Sequence, residues 1–269
     1  MTRRLVGSVP IWQFELLSTF GSLCHGVTTR QGGVSEGPYL ELNLGLHVGD
    51  DGERVIENRR RVCRALGVDF DATTFAQHVH GANVHMVQVE EAGAGRTRFE
   101  DGIPDADGLV LNEPGVTVVV LAADCVPILL YDPDNHITAA VHAGSRGTAA
   151  GIAHRAVRFL VEECGSRGAA LVAGVGPAIG PCCCRVNRDM VEALLRGFDY
   201  TEPVAEKREG GWCYDLARAN VQQLTAGGMV PENIECAGIC NSCQSDEFYS
   251  DLKLGRPTGR FGAFASLRA

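Results

Sequence analysis

Three apolar runs follow one another closely between Val116 and Gly147, at residues 116–122, 126–131 and 137–142. Short β-branched and aliphatic runs bounded by turn formers read as strands. The second and third are joined by Asp132-Pro133-Asp134-Asn135, where Pro fixes φ and the Asp and Asn side chains support a turn, so they are expected to form an antiparallel hairpin. Pairing Tyr131 with Ile137 places Val126 opposite His142 and Cys125 opposite Ala143. Opposed Cα atoms lie about 4.5–5.5 Å apart, so Cys125 and His142 become near neighbours at one end of the hairpin. Pro127 marks an irregular start or an edge position for the outgoing strand.

Around this centre strands, helices and Gly-rich loops alternate without a linker, repeat or low-complexity tract, which reads as one domain over residues 1–269. Helices are expected at 53–66, ended by Gly67, at 147–164, at 187–195 capped by Asn187, and at 215–226 capped by Asp215. Further strands are expected at 12–15, 24–29, 83–90, 171–175, 234–237, 248–250 and 261–267. The irregular stretch 30–51 is long enough to suggest a functional loop. With 33 acidic and 24 basic residues the formal charge is −9, which argues against sequence-independent nucleic-acid binding. No apolar run approaches the roughly 20 residues of a membrane span. Met1-Thr2-Arg3-Arg4 leads to Pro10, Gln13 and Glu15 rather than to a signal core, so a cytoplasmic protein is expected. Oligomeric state is not indicated. The eleven cysteines are odd in number, and in a reducing compartment metal or catalytic use competes with a disulfide framework.

The neighbouring Cys125 and His142 suit either a metal or a nucleophile–base pair. Taken singly, a strand cysteine is commonly a small buried hydrophobe, and a lone histidine a core or surface residue. His80, before the permissive Gly81, is a third candidate. One Cys and two His would satisfy zinc with an open fourth position, and Cu(I) accepts the same donors. Cys182-Cys183-Cys184 and the Cys240/Cys243 pair read as structural or incidental. Adjacent cysteines strain to share one tetrahedral ion, and the single C-x-x-C has no second pair at zinc-ribbon spacing, although Cys236 is near. Arg30, Arg59 and Arg146 stand beside small or turn residues and are candidate anion holders, against the plain alternative of solvated arginines. The loop Gln31-Gly32-Gly33-Val34-Ser35 resembles a phosphate cradle only loosely.

A set of ordered blocks resembles the YfiH-like family, described as laccase-domain or polyphenol oxidase proteins and as purine nucleoside-processing enzymes. The blocks are Thr29-Arg30-Gln31-Gly32-Gly33-Val34-Ser35, Asn43-Leu44-Gly45 with His47-Val48-Gly49-Asp50, Asn58-Arg59, Val79-His80-Gly81 and Asp105-Ala106-Asp107-Gly108. They continue with Ala123-Asp124-Cys125-Val126-Pro127, His142-Ala143-Gly144-Ser145-Arg146-Gly147, Ile179-Gly180-Pro181-Cys182-Cys183 and Thr258-Gly259-Arg260. The resemblance spans nearly the whole chain. It implies an α+β fold, a mixed four-layer α/β/β/α sandwich, with zinc bound by His80, Cys125 and His142. It implies adenosine deamination and the phosphorolysis of adenosine, inosine, guanosine or methylthioadenosine, with phosphate as co-substrate. Asn43, Arg59, Arg146 and Arg30 would then line the pocket, the three arginines holding phosphate, and Asp124 would carry a proton in deamination.

The chain departs from the family pattern at Ser145, where Trp is common, at Cys184-Arg185, at Asn241 and at Asp251-Leu252-Lys253, all of which bear on substrate preference. Three alternatives stand beside the nucleoside reading. One is a copper-dependent polyphenol oxidase, for which eight histidines and one His-x-His pair are few. Another is a cysteine-nucleophile amide hydrolase, including peptidoglycan-precursor editing. The last is a nucleoside-binding protein without catalysis.

Overall fold

The computed structural model describes residues 1–268. Its strands in chain order are β1 (Thr2–Val6), β2 (Val9–Gln13), β3 (Leu23–Thr28), β4 (Thr73–Phe75), β5 (Val84–Met86), β6 (Gly108–Leu111) and β7 (Thr117–Ala122). They continue as β8 (Val126–Asp132), β9 (Ile137–Ala143), β10 (Val172–Val175), β11 (Ala205–Arg208), β12 (Gly211–Tyr214), β13 (Ile234–Cys236) and β14 (Phe261–Leu267). The helices are α1 (Gly52–Leu66), α2 (Ser145–Ala149), α3 (Ile152–Glu163), α4 (Arg188–Gly197), α5 (Leu216–Ala226) and α6 (Asp251–Leu254). One sheet has the order β1-β2-β3-β14-β7-β4, the other β13-β10-β8-β9-β6-β5, and β11 with β12 forms a separate hairpin. Both large sheets are mixed: β4–β7, β5–β6 and β10–β13 pair in parallel, within otherwise antiparallel ladders.

The period of two along each strand sorts its side chains between two cores. On β7, Val118, Val120 and Ala122 pack with Leu109, Leu129, Tyr131 and Ala140 of the other sheet. Val119 and Leu121 turn the other way and pack with Phe264 and with Val62 of α1. On β8 and β9 the opposite set, Ile128, Leu130, Ala139 and Val141, packs against Ile152, Ala156 and Leu160 of α3 and Leu216 and Leu224 of α5. Four layers result, helix on sheet on sheet on helices, which is the α+β sandwich expected. No helix among the described residues is long and apolar enough to cross a membrane.

Close approach between layers fixes one glycine. A Cβ on Gly174 of β10 would lie 2.3–2.5 Å from the ring of Phe14, itself fully buried. Gly174→Ala is therefore expected to destabilise the protein by about 1–3 kcal/mol through overpacking. An unchanged urea midpoint would show that the Phe14 ring has somewhere else to go.

The hairpin register is one residue away from that expected. Asp132 pairs with Ile137, Tyr131 with Thr138, Pro127 with His142 and Val126 with Ala143. The cause is Asp132, whose carboxylate accepts bonds from Asp134 N, Asn135 N and Asn135 Nδ2, so the turn begins after it and the strand gains a residue. Pro127 is on an interior strand rather than an edge. It lies one residue past the last β10 pair, Ile128 with Val175, on the side where its carbonyl accepts from Gly176 N, so its missing N–H costs no ladder bond. The helix expected at 147–164 is two helices, parted at Gly151 with φ of 78°. Residues 248–250 are not a strand; Ser250 instead caps α6 by accepting from Lys253 N. The 30–51 stretch is irregular as expected, with only a short 3-10 turn at Gly37–Tyr39.

Candidate functional site

Cys125 immediately precedes β8 and His142 is the penultimate residue of β9, so the shifted register still leaves both at the same sheet end. The loop after β4 brings His80 over them, and the ligand atoms of His80, Cys125 and His142 all lie within 4.8 Å of one another. Gly144 makes room for this: a Cβ there would meet His80 Cδ2 at 2.8 Å and Cys125 Sγ at 3.0 Å. Two imidazoles and a thiol converging on one point form a donor set that suits zinc or Cu(I).

Asp107, fully buried just before β6, organises the trio. Its Oδ1 accepts from His142 Nδ1 at 2.8 Å and from His80 N at 3.0 Å, and its Oδ2 accepts from Gly81 N at 2.6 Å. The first bond fixes the ring so that Nε2 is the nitrogen left for Cys125 or a metal. The other two hold the turn in which His80 takes a positive φ of 58°. Nothing in the sequence spacing marks Asp107 for this role, because its partners lie 26 to 35 residues away. His78, one residue from Val79, is not a further free ligand. It accepts from Leu121 N at Nε2 and meets Ala106 O through Nδ1, and burial holds it well below the usual imidazole range, which suits a neutral ring.

Burial is the largest single influence on both Cys125 and His142 and disfavours their charged forms, but the opposite charges and hydrogen bonds around them together outweigh it. Cys125 and the Asp107 bond lift His142 to about 9, while His142 and His80 together bring Cys125 down to about 6. Without metal the pair is therefore a thiolate and an imidazolium between those values. Cys125 in the metal-free protein is expected to react with iodoacetamide at a rate that rises through about pH 6 and is then level, well below the range of an ordinary thiol. Mass-mapped alkylation across pH checks this, and a midpoint near that of a free thiol would sink the ion pair. Added zinc should protect Cys125.

The trio forms part of the wall of a cleft of about 900 Å³, within the range of small-ligand sites. Arg146 and Asp124 are among its lining residues. Arg146 makes one long bond, to Val79 O at 3.3 Å. Asp124 is more constrained: it accepts from Asn241 Nδ2, Ser250 Oγ and Leu252 N. Asn43, Arg30 and Arg59 are not among the lining residues. Arg59 is buried over the Phe75 ring, with its guanidinium donating to the carbonyls of Leu44, Gly95 and Arg96. Arg30 is bound to the carbonyls of Leu40 and Ser245 beside a separate surface hollow. Asn43 acts at one remove, its Oδ1 accepting from the backbone N of the cleft residue Arg260. His47, Phe99, Met190, Arg256 and Arg260 also line the cleft. Ser145 meets the Tyr214 hydroxyl and borders a smaller hollow behind Cys125 with Cys184 and Arg185.

A family model described as multi-copper polyphenol oxidoreductase laccase matches residues 24–268. A purine nucleoside phosphorylase YlmD of Geobacillus stearothermophilus is 36% identical over 251 residues, 93% of this chain and 92% of that protein. A purine nucleoside phosphorylase of Bacteroides thetaiotaomicron is 33% identical over 249 residues, 92% of each chain. Among solved structures, the Bacillus licheniformis hypothetical protein YfiH superposes with a TM-score of 0.93 at 32% identity, covering 99% of both chains.

Proposed function

We propose, for a chain that belongs to the multi-copper polyphenol oxidoreductase laccase family, that it is a zinc-dependent enzyme of purine nucleosides, catalysing phosphorolysis and the deamination of adenosine. The observation that carries this is the His80–Cys125–His142 trio in the wall of a nucleoside-sized cleft bordered by arginines. The purine nucleoside phosphorylase names of the relatives support the substrate class. The three side chains would hold the ion, with Asp107 setting the His142 tautomer. When bound, zinc would supply a Lewis acid with an open coordination position.

The chain's own residues then account for positioning and charge. His47 and Phe99, with ring centroids 5.1 Å apart, offer a face for the base. Arg146, with most of its donors uncommitted, is the best-placed phosphate holder; Arg256 and Arg260, which line the same cleft, are paired with Asp251. In phosphorolysis a phosphate oxygen bonds C1′ as the C1′–N9 bond breaks and its electron pair passes to the purine, so fixed cations and donors contribute mainly by orientation and charge stabilisation. Asp124 braces the wall. Among the described residues its Oδ2 accepts only from Leu252 N, which leaves one acceptor site for a proton-carrying role in deamination.

The donors do not favour phenol oxidation. Among the described residues the histidine groups are His80–Cys125–His142 and His78–Asp107–His142, which share His142, and both His78 nitrogens face backbone. That supports one ion, not the mononuclear and trinuclear centres of a multicopper oxidase. Incubating metal-analysed protein with inosine and with adenosine, with and without phosphate, tests the proposal by product chromatography. Hypoxanthine formed from inosine only with phosphate, and inosine formed from adenosine, are expected; no turnover of any purine nucleoside would refute it.

One observation favours a second reading. Cys125, His142 and Asp107 are also ordered as a nucleophile, base and orienting carboxylate, the arrangement of a cysteine hydrolase. Amide cleavage that survives chelation and is stopped by alkylation of Cys125 would select it.

A further inference from the structure

Cysteines that the sequence presents as two unrelated groups form one cluster. Ala178 bridges Cys240, with Ala178 N donating to Ile239 O and Asn241 N to Ala178 O, so the two segments run side by side. A turn follows in each: Cys183 N and Cys184 N donate to Gly180 O, and Gln244 N donates to Cys240 O. Those turns aim Cys182, Cys183, Cys240 and Cys243 at one point, with all four sulfurs within 4.8 Å of one another. Cys184 turns away into the core, which removes the difficulty of three adjacent cysteines sharing one ion.

The spacing discriminates between uses. A disulfide needs sulfurs about 2.05 Å apart, whereas corners of a tetrahedron with metal–sulfur bonds of about 2.3 Å are about 3.8 Å apart. Cys243 Sγ lies 3.5 Å from Cys182 Sγ and 3.4 Å from Cys183 Sγ, closer to the second figure. Gly180 N donates to Cys240 Sγ at 3.2 Å, a bond that favours thiolate. The same glycine abuts the cluster, since a Cβ on it would lie 3.1 Å from Cys240 Cβ and 3.3 Å from Cys182 Sγ.

We propose that Cys182, Cys183, Cys240 and Cys243 form a second metal site, a closed tetrathiolate for a zinc-class divalent ion. Four protein ligands leave no open position, so the site is structural rather than catalytic. Binding takes all four sulfurs as thiolates and releases the protons of those that are still thiols, and the folding of the two turns is coupled to it. The segment stapled in this way continues through Asn241 to Ser250 and Leu252, the donors that hold Asp124 beside Cys125. Metal at the cysteines would therefore stiffen one wall of the cleft.

Elemental analysis and native mass spectrometry of the full chain, purified under reductant and given zinc, test the proposal. About two ions per chain are expected. Cys240→Ser/Cys243→Ser should remove one, and His80→Ala/Cys125→Ser should independently remove the other. Cobalt(II) added to this latter variant should give the strong thiolate-to-metal absorption of a tetrathiolate site. The single variant Cys182→Ser, checked for an unchanged circular dichroism spectrum, guards against loss of metal through unfolding. A metal count unaffected by the cysteine variants, disulfides that still bind no second ion after reduction, or iron in place of zinc would each overturn the assignment.

Discussion

Cys125→Ala is expected to lower turnover of purine nucleosides by about 10³-fold or more, the scale on which loss of a residue central to the chemistry is felt. The side chain has no structural deputy: the nearby Cys184 is in the core, and Cys182 and Cys183 are turned to Cys243. The substitution removes one of three converging donors and also the anion that helps to keep His142 charged, so the His142 pKa should fall from about 9. Folding should survive, since Cys125 is half-buried at a strand entrance and outside the apolar clusters. Steady-state rates measured beside metal content divide the outcomes. Loss of metal together with rate fits the zinc reading, while loss of rate with full metal content at the trio would move Cys125 to the role of nucleophile. Retained turnover would remove both.

Much of this pair was legible because hairpin periodicity is a local property. The apolar runs and the Asp-Pro-Asp-Asn turn placed Cys125 and His142 at one end, and a register wrong by one residue still left them there because both lie at strand termini. What decided the register was the side chain of Asp132, a local bond that composition does not reveal. Arg59 shows the reverse difficulty. Three consecutive arginines on a helix read as a solvated or anion-holding face, but α1 packs on the first sheet and turns Arg59 alone inward, onto carbonyls that belong to the loops at Leu44 and Gly95. Arg260 and Phe99 reach the cleft from distant segments, and nothing in the spacing of either announces it. The four-cysteine cluster was hidden for the same reason: its unity rests on the bridge between Ala178 and Cys240, a contact across 62 residues of chain.

Asp107→Asn is expected to cost about 10–100-fold in metal affinity at the trio and in turnover, the usual penalty for losing the partner that orients a metal-bound histidine. The volume is unchanged, so the effect is one of hydrogen bonding and charge. Each carboxylate oxygen now accepts from a donor, His142 Nδ1 and His80 N on one side and Gly81 N on the other. An amide can accept on only one side; its NH₂ must face either Gly81 N–H or the His142 ring, and the site is fully buried. An unsatisfied buried donor costs about 1–3 kcal/mol, so modest destabilisation should accompany the functional loss. The sign of the electrostatic change is also fixed. The Asp107 anion favours imidazolium, so its removal lowers the His142 pKa; as His142 loses its proton earlier, Cys125 loses its cationic partner and its own pKa moves up from about 6. Alkylation of metal-free Asp107→Asn should accordingly show a midpoint above that of the parent chain. A midpoint that does not move, together with parental zinc affinity, would reduce Asp107 to a support for the His80 turn and leave the orientation of His142 to packing against His78, whose ring stacks on it at 4.5 Å.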